Sequence, residues 1–402
     1  MIKIAVLGYG VVGSGVVHVL DKNSDIIRLN AGQKINVKYI LDIREFPGSP
    51  YKYLFTKDFE EIINDPEITV VVEAIGGTGA ALTYTQRCFN AGKNVVTSNK
   101  ELVAEHGSEL LRCAKETGVN YLFEASVGGG IPVIRPLTQC MTANIINEIY
   151  GILNGTTNYI LTDMERNSAG FSEALCEAQQ KGYAESDPTA DIEGFDTCRK
   201  ICILSSLAFG THIYPHQVKT EGITGITAQD IRYADNLGYK IKLLGRARAV
   251  GEKVSAYVAP HLINKENLLA IIDDVKNGVV IRGNVVGDVV LCGKGAGRLP
   301  TASAVIADVI DAVKHLHARR WISWTEGKAD FMTDPVLLDS AWYIRTNENR
   351  EKIEREFGNV IFAADTGTET AFITSVMNGN MVEELLNRGI TAVSRFRVLG
   401  DH

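Results

Sequence analysis

The sequence predicts an α/β chain in three parts: a parallel-sheet domain, an α+β domain and a small ferredoxin-like tail. Three observations predict it. An apolar strand, Ile2 to Leu7, runs directly into Gly8-Tyr9-Gly10-Val11-Val12-Gly13 and then into a helical run, Val16 to Leu20. Between Glu185 and Asp196, five acids (Glu185, Asp187, Asp191, Glu193 and Asp196) fall within twelve residues; Arg199, Lys200 and the apolar run Ile201 to Leu207 follow at once. From Trp342 to Val398, strand-like and helix-like segments succeed one another in the order βαββαβ.

The first of these carries its own chemistry. G-x-G-x-x-G between a strand and a helix is a dinucleotide fingerprint. Gly8 makes the tight turn, Gly10 lets the main chain approach a pyrophosphate, and Gly13 lets the helix pack closely on the strand. The N-terminus of the following helix favours phosphate, and Val11 and Val12 within the fingerprint are expected at the cofactor with the three glycines. The domain is therefore expected to be Rossmann-type. A second strand, Ile35 to Leu41, ends at Asp42, with Arg44 close behind. An acid there takes the ribose hydroxyls of NAD, and an arginine takes the 2′-phosphate of NADP. Both residues are present, with Lys57 a further cation for the same site, so the cofactor is either NAD or NADP.

Val70 to Ala74 reads as a third strand, ending in Ile75-Gly76-Gly77-Thr78, and Ala80 to Ala91 as a helix. Asn94 to Thr97 is the next strand, ending in Ser98-Asn99-Lys100. Open parallel sheets bind ligands at the carboxyl ends of their strands. Lys100 sits at such an end, at a helix start where a cation is slightly unfavourable. That misplacement points to function rather than to an ordinary surface lysine. Tyr121 to Ala125 reads as another strand, opening into Ser126-Val127-Gly128-Gly129-Gly130-Ile131-Pro132. Three consecutive glycines allow main-chain conformations that other residues avoid. On its own this segment is either an all-oxygen site for a hard cation, built from carbonyls and the Glu124 carboxylate, or a hinge between domains.

In the acidic stretch, Asp187-Pro188 disfavours helix before the acids. From Phe195 onward the spacing predicts a helix, with Cys198, Ile201, Cys202 and Ser205 along one face and Asp196 one turn from Lys200. Spacing alone leaves two readings. One is a solvated acidic loop leading into a surface helix. The other is a site where carboxylates hold a small zwitterionic substrate beside a lysine that transfers protons, its acidity balanced between burial and neighbouring carboxylates. A calcium loop fits poorly, because the D-x-D-x-D-G spacing is missing.

Composition narrows the class. The chain has 402 residues, enough for two or three domains. Its net charge of −7 and lack of a basic cluster argue against nucleic acid as a partner. No apolar run approaches the roughly 20 residues of a membrane helix, and MIKIAVLGYG enters a strand with no signal-peptide pattern. A cytoplasmic protein is expected. The seven cysteines are scattered without a C-x-x-C, which suits reduced thiols and not a zinc site.

Five longer motifs then add up: SNKELVA from Ser98, FEASVGGGIPVI at 123–134, GILNGTTNYIL at 151–161, GYAESDPTADIEGFDTCRK at 182–200 and GKGAGRLPTASAV at 293–305. In this order and spacing, residues 1–320 resemble the homoserine dehydrogenase family. The resemblance implies interconversion of L-homoserine and L-aspartate 4-semialdehyde with NAD(P), in threonine, methionine and isoleucine biosynthesis. It implies Lys200 as proton donor/acceptor and Lys100 as a second lysine beside nicotinamide and substrate. Glu185, Asp191 and Asp196 become substrate-side acids, with Gly155, Thr156 and Tyr183 near the substrate. Gly182 and Gly297 become cofactor contacts. Glu124, Val127, Gly129 and Ile131 become a site for a monovalent cation, expected as sodium. An acid–base lysine suffices for this chemistry, whereas a phosphorylating semialdehyde dehydrogenase needs a reactive thiol. The competing readings are a related NAD(P)-dependent dehydrogenase of another amino-acid carbonyl and a non-catalytic redox or amino-acid sensor.

The remaining elements are expected as strands at Ile145–Asn154, Ile241–Val250 and Val254–Ala259, and helices at Ser172–Gln180, Ala228–Leu237 and Thr301–His315. The domains expected are 1–135 with about 295–320 for the dinucleotide, 136–294 for substrate and dimerisation, and 340–402 for the tail. In the tail, Trp342–Arg345, Val360–Ala363, Thr370–Val376 and Thr391–Val398 read as strands, Glu348–Phe357 and Met381–Arg388 as helices. Its order resembles an ACT regulatory domain, although Thr346-Asn347-Glu348-Asn349 replaces the Asp-x-Pro-Gly-like loop of that family. The tail is thus either a threonine-binding or a purely dimerising module. A homodimer is the expected assembly, with a homotetramer as the alternative.

Overall fold

The computed structural model describes residues 1–318 and 322–400; the expected boundaries at 320 and 402 lie outside the described residues. The chain divides into two compact units, one comprising 1–145, 202–215 and 293–328, the other 146–201, 216–292 and 329–402. Among the described residues no helix is long and apolar enough to cross a membrane.

The first unit is built on a parallel sheet of β1 (Ile2–Leu7), β2 (Ile35–Leu41), β3 (Phe55–Thr56), β4 (Ile68–Glu73), β5 (Asn94–Thr97) and β6 (Tyr121–Leu122). Their spatial order is 3-2-1-4-5-6, the doubly wound arrangement whose direction switches between β1 and β4. Ile4, Ala5, Val6, Val70, Val71 and Val72 are buried in succession, as a parallel sheet covered on both faces requires. The intervening helices are α1 (Val11–Lys22), α2 (Ser24–Ala31), α3 (Phe59–Ile63), α4 (Gly79–Asn90) and α5 (Lys100–Thr117). A late helix, Arg298–Lys314, shares the core of this unit, its Ala302, Val305 and Val309 joining Val16, Val17 and Leu20 of α1. It begins before the expected Thr301. Pro300 falls in its first turn, where an N–H has no partner in any case. β6 stops at Leu122 instead of Ala125, because Glu124 enters a tight turn and gives its N–H to Asp308 Oδ2 at 2.8 Å.

The second unit holds helices α6 (Gly155–Asn167), α7 (Phe171–Gln180), α8 (Thr189–Ile192), α10 (Ala228–Asn236) and the start of α9 (Phe195–Phe209). Its mixed sheet runs β12 (Gly287–Lys294), β11 (Lys276–Gly283), β7 (Ile146–Ile152), β9 (Tyr239–Val250), β10 (Lys253–Asn264), and then the strands of the tail, with β8 (Lys219–Thr220) also on β10. The hairpin β11–β12 and helix α6 lie outside the sequence expectation. Glycines at 278, 283 and 287 break the apolar period of the hairpin.

With α11 assigned to Arg298–Lys314, the tail contains β13 (Ala341–Thr346), α12 (Arg350–Phe357), β14 (Ile361–Asp365), β15 (Thr370–Ile373), α13 (Gly379–Leu386) and β16 (Ala392–Val398). Its strands lie in the order β16-β13-β15-β14, which makes the βαββαβ order an antiparallel ferredoxin-like sheet. The tail has its own core of Trp342, Ile344, Ile353, Phe357, Phe372 and Val382. It also continues the larger sheet, since β16 pairs in parallel with β10 at His261↔Arg397 and Leu262↔Val398. A buried ionic knot fastens the join. Arg345 on β13 donates to Asp230 on α10 from Nε at 2.8 Å and to Glu369 from Nη1 at 2.6 Å. The Tyr343 hydroxyl and Ser394 hydroxyl donate to the same Asp230 carboxylate at 3.1 and 3.0 Å. Asp230 is fully buried, so each of these donors offsets desolvation of its charge.

Two outcomes follow for stability. Arg345→Met leaves Asp230 buried without its cation, and urea denaturation should show a loss of about 3–5 kcal/mol; a loss below 1 kcal/mol would show that the knot is not what fastens the tail. His261, fully buried at the same join, is neutral when folded. Burial, then the Arg246 guanidinium, push its imidazole down to about 3. An unfolded histidine titrates at about 6.5, so its contribution is complete above that pH and is lost as pH falls toward 3. Unfolding free energy should drop by about 3 kcal/mol between pH 6.5 and 4, and His261→Gln should flatten that slope.

Candidate active site

In the first unit the fingerprint turns where β1 meets α1. Gly8 adopts a left-handed φ of +92°, and a Cβ there would stand 2.6 Å from the Ala74 carbonyl. A Cβ at Gly13 would stand 1.9 Å from the Gly8 carbonyl, whereas one at Gly10 would meet nothing within 4 Å. The first and third glycines are thus dictated by the fold. The second keeps space clear in front of the N-terminal amides of Val11, Val12 and Gly13, a cradle of the kind a pyrophosphate needs.

At the end of β2 the Asp42 carboxylate accepts the Tyr9 N–H at 2.7 Å and the Arg44 N–H at 2.9 Å. The Arg44 side chain forks onto it, Nε at 3.0 Å and Nη2 at 2.8 Å. The Arg44 fork, assisted by these N–H groups, holds the Asp42 carboxyl down to about 2. Asp42 is buried while the Arg44 side chain is 59 % exposed, so the arginine presents its outer face to solvent. Lys57 is engaged elsewhere, with Glu45 at 2.8 Å.

Glu73, at the end of β4, escaped the sequence reading. It is fully buried, and its carboxylate accepts the Ile75 N–H at 2.8 Å and the Thr97 hydroxyl at 2.5 Å. Burial raises its carboxyl above the usual range. Thr97 Oγ1 in turn accepts the Asn99 N–H at 2.9 Å, and Asn99 caps α5 by accepting from Leu102 N–H at 3.1 Å. This chain of contacts fixes the position of half-buried Lys100, the first residue of α5. The only advance signal was an acid closing the apolar run Ile68–Val72.

The Glu124 carboxylate is taken up by main-chain donors: Val133 N–H at 2.7 Å, Ile134 N–H at 2.8 Å and Arg135 N–H at 2.9 Å. These amides open a helical turn and have no upstream carbonyl to bond. The Glu124 carboxylate is thus engaged by the main chain that follows the glycine loop. Among the described residues no cluster of three or more His, Cys, Asp or Glu suits a metal ion. Gly297 caps α11 with a φ of +114°, and Gly182, at +72°, forms an exposed turn after α7.

In the second unit the acidic stretch closes on itself. Lys200 Nζ donates to Asp196 Oδ2 at 2.7 Å, one turn back along α9, and to the Leu153 carbonyl at 2.6 Å. Lys200 is 7 % and Asp196 4 % exposed, so the helix is not a surface helix and the ion pair is not a solvated one. The Asn154 amide reaches both acids, donating from Nδ2 to Asp191 at 2.7 Å and to Asp196 Oδ2 at 2.8 Å. Asn277 Nδ2 donates to the same Leu153 carbonyl at 2.9 Å. Neither asparagine is assigned to the site from sequence, although Asn154 lies in the motif GILNGTTNYIL. Thr156 Oγ1 donates to the Tyr183 carbonyl at 2.7 Å, and the Tyr183 ring is partly exposed. Glu185 lies on the exposed stretch before α8, outside this bonded cluster, with its carbonyl accepting from Gln179 Nε2.

A buried lysine held between a carboxylate and a carbonyl, with Asp191 joined to the cluster through Asn154, can move protons at a small polar molecule. Comparison with known proteins specifies the molecule. Residues 8–124 match the model for the homoserine dehydrogenase NAD-binding domain, and residues 132–310 match that for homoserine dehydrogenase. The homoserine dehydrogenase of Neisseria gonorrhoeae is 43% identical over 79% of this chain and 73% of its own. That of Pseudomonas aeruginosa is 40% identical over 86% and 81%. Among solved structures, the homoserine dehydrogenase of Thiobacillus denitrificans superposes with a TM-score of 0.90 at 35% identity, over 99% of this chain and 98% of that one. A hyperthermophilic archaeal homoserine dehydrogenase in complex with NADPH gives 0.66 at 27% identity, over 77% and 97%. The chain therefore belongs to the homoserine dehydrogenase family and is an oxidoreductase that interconverts L-homoserine and L-aspartate 4-semialdehyde with a nicotinamide dinucleotide.

Proposed function

We propose that Lys200 is the group that gives and takes the proton at the substrate's C4 oxygen. The single observation that carries this reading is the burial of its ammonium between Asp196 and the Leu153 carbonyl. Two fixed acceptors orient Nζ, and a buried lysine exchanges its proton with a bound group instead of with bulk water. When bound, the dinucleotide supplies the hydride chemistry. The chain's own residues bind, orient and manage the proton. Asp191, Asp196 and Glu185 are the acids for the substrate's ammonium end, with Thr156 and Tyr183 beside them. Lys100, fixed at the start of α5, is the second lysine of the reaction.

The dinucleotide is proposed at Gly8, Gly10, Val11, Val12, Gly13, Asp42 and Arg44, with Gly182 and Gly297 as further contacts. The clear space at Gly10 supports the pyrophosphate position. Of the two cofactors, NADP is supported by the exposed outer face of Arg44, whose inner face already answers Asp42. A monovalent cation, expected as sodium, is proposed at the main-chain oxygens of Glu124, Val127, Gly129 and Ile131. The tail is proposed as an ACT-like module, either taking threonine or only dimerising, and its antiparallel ferredoxin-like sheet supports such a module. The remaining proposals are domains of 1–135 with about 295–320, 136–294 and 340–402, a homodimer in preference to a homotetramer, and a cytoplasmic enzyme of threonine, methionine and isoleucine biosynthesis.

Reduced-nicotinamide absorbance with L-homoserine, run with NAD and NADP in parallel, tests these assignments. Lys200→Ala should lower kcat by about 100- to 10,000-fold while dinucleotide binding persists; unchanged turnover would remove Lys200 from the chemistry. Arg44→Ala should lower kcat/KM for NADP relative to NAD by about tenfold or more. An unchanged ratio would show that the arginine serves only to neutralise Asp42.

A further inference from the structure

The Asn154 side chain does two things at once. Its Oδ1 accepts the Thr157 N–H at 2.8 Å, capping α6, and also lies 3.1 Å from the Thr157 hydroxyl. With the oxygen fixed by that cap, the amide has one orientation, and its Nδ2 must face the acids. It donates to Asp191 Oδ1 at 2.7 Å and to Asp196 Oδ2 at 2.8 Å. The Asp196 oxygen it bonds is the one that accepts from Lys200 Nζ. The next residue back, Leu153, supplies the carbonyl that holds the same Nζ. Asn154 is 4 % exposed, so water does not compete for these contacts.

We propose that Asn154 is a positioning residue for the reaction: the cap on α6 aims its amide, the amide spaces Asp191 from Asp196, and through Asp196 it fixes Lys200. This rests on the assignment of Lys200 as the proton-transfer group. The reason an amide is needed is chemical. Two carboxylates brought to one point repel, and a donor between them relieves that repulsion without adding a charge. A serine at this place keeps the cap, because serine caps about as well as asparagine, but has no second donor for the acids. An aspartate keeps shape and cap and turns the donor into a third anion.

The test compares Asn154→Ser and Asn154→Asp with the unaltered chain by steady-state kinetics with L-homoserine and the dinucleotide. In Asn154→Ser the KM for homoserine should rise and kcat fall, each by about tenfold or more. The dinucleotide KM should stay within about twofold, and the thermal midpoint within about 3 °C. Asn154→Asp should be slower still, and less stable because its added carboxylate is buried against two acids; since its cap is intact, that ranking in rate is one that capping alone does not produce. Wild-type kcat and homoserine KM in both variants, with Lys200→Ala inactive, would overturn the positioning role and leave Lys200 in place. An active Lys200→Ala would overturn both. A large fall in thermal midpoint with lost dinucleotide binding in Asn154→Ser would assign Asn154 to folding and likewise overturn the proposal.

Discussion

An ammonium group removed from water must find acceptors inside the protein, and the second unit is arranged around that requirement at Lys200. Isolated burial of such a charge is prohibitive. Here one carboxylate and one main-chain carbonyl meet it. The carboxylate needs its own donors, since a lysine alone leaves Asp196 with unfilled lone pairs; Asn154 fills one. The carbonyl of Leu153 is likewise doubly engaged, with Asn277 on its other side. The order of necessity runs from the charge outward: Lys200, then Asp196 and Leu153, then Asn154 and Asn277. Each layer exists to satisfy the one inside it, which is how second-layer asparagines come to lie buried.

The same device recurs in both units. Some of the residues proposed for the site stand beside helix starts that a side chain caps. Asn99 caps α5 and so places Lys100. Asn154 caps α6 and so places the acid pair. Thr227 and Asp230 form a reciprocal cap on α10, and Asp230 is then the anchor for Arg345 of the tail. Helix starts leave several N–H groups unpaired, so a polar residue is required there on structural grounds alone. An asparagine satisfies that need with its oxygen and retains an amide for a second task.

What was legible in the sequence follows from which signals have a period. The glycine fingerprint, the Asp196–Lys200 spacing and the βαββαβ order of the tail repeat a pattern over many residues, and each is found where the spacing put it. Asn154, Asn277 and Glu73 are single polar residues whose roles depend on a partner far along the chain or across a turn, so no window of sequence reveals them. Glu124 shows a different limit. An acid just before a glycine loop is visible in the sequence, but carboxylate and carbonyl compete for the same assignment. Only the unpaired amides of residues 133–135 decide that the carboxylate turns toward them. The strands β11 and β12 were missed because glycine interrupts their alternation.

Two other glycines, Gly245 and Gly155, bear on the residues around Lys200. Gly245 lies on β9 beneath α9, and a Cβ there would stand 3.0 Å from Ile201 Cβ, 3.0 Å from Leu153 Cδ1 and 3.1 Å from Thr197 Cγ2. These are neighbours in sequence of Lys200, Asn154 and Asp196. An added methyl would have to lift α9 from the strand or push Leu153 aside, since Thr197 and Ile201 are both fully buried and have nowhere to go. Lifting the helix by a few tenths of an ångström lengthens the contact between Lys200 and the Leu153 carbonyl, and charge-assisted hydrogen bonds of this kind are short and steep in distance. Gly155 acts in the same way at the start of α6, where a Cβ would meet the Val275 carbonyl at 2.7 Å. The position of Lys200 is therefore set as much by side chains that are missing as by those that bond to it. The close approach of helix to sheet brings a main-chain carbonyl within reach of an ammonium that the helix alone would leave to Asp196.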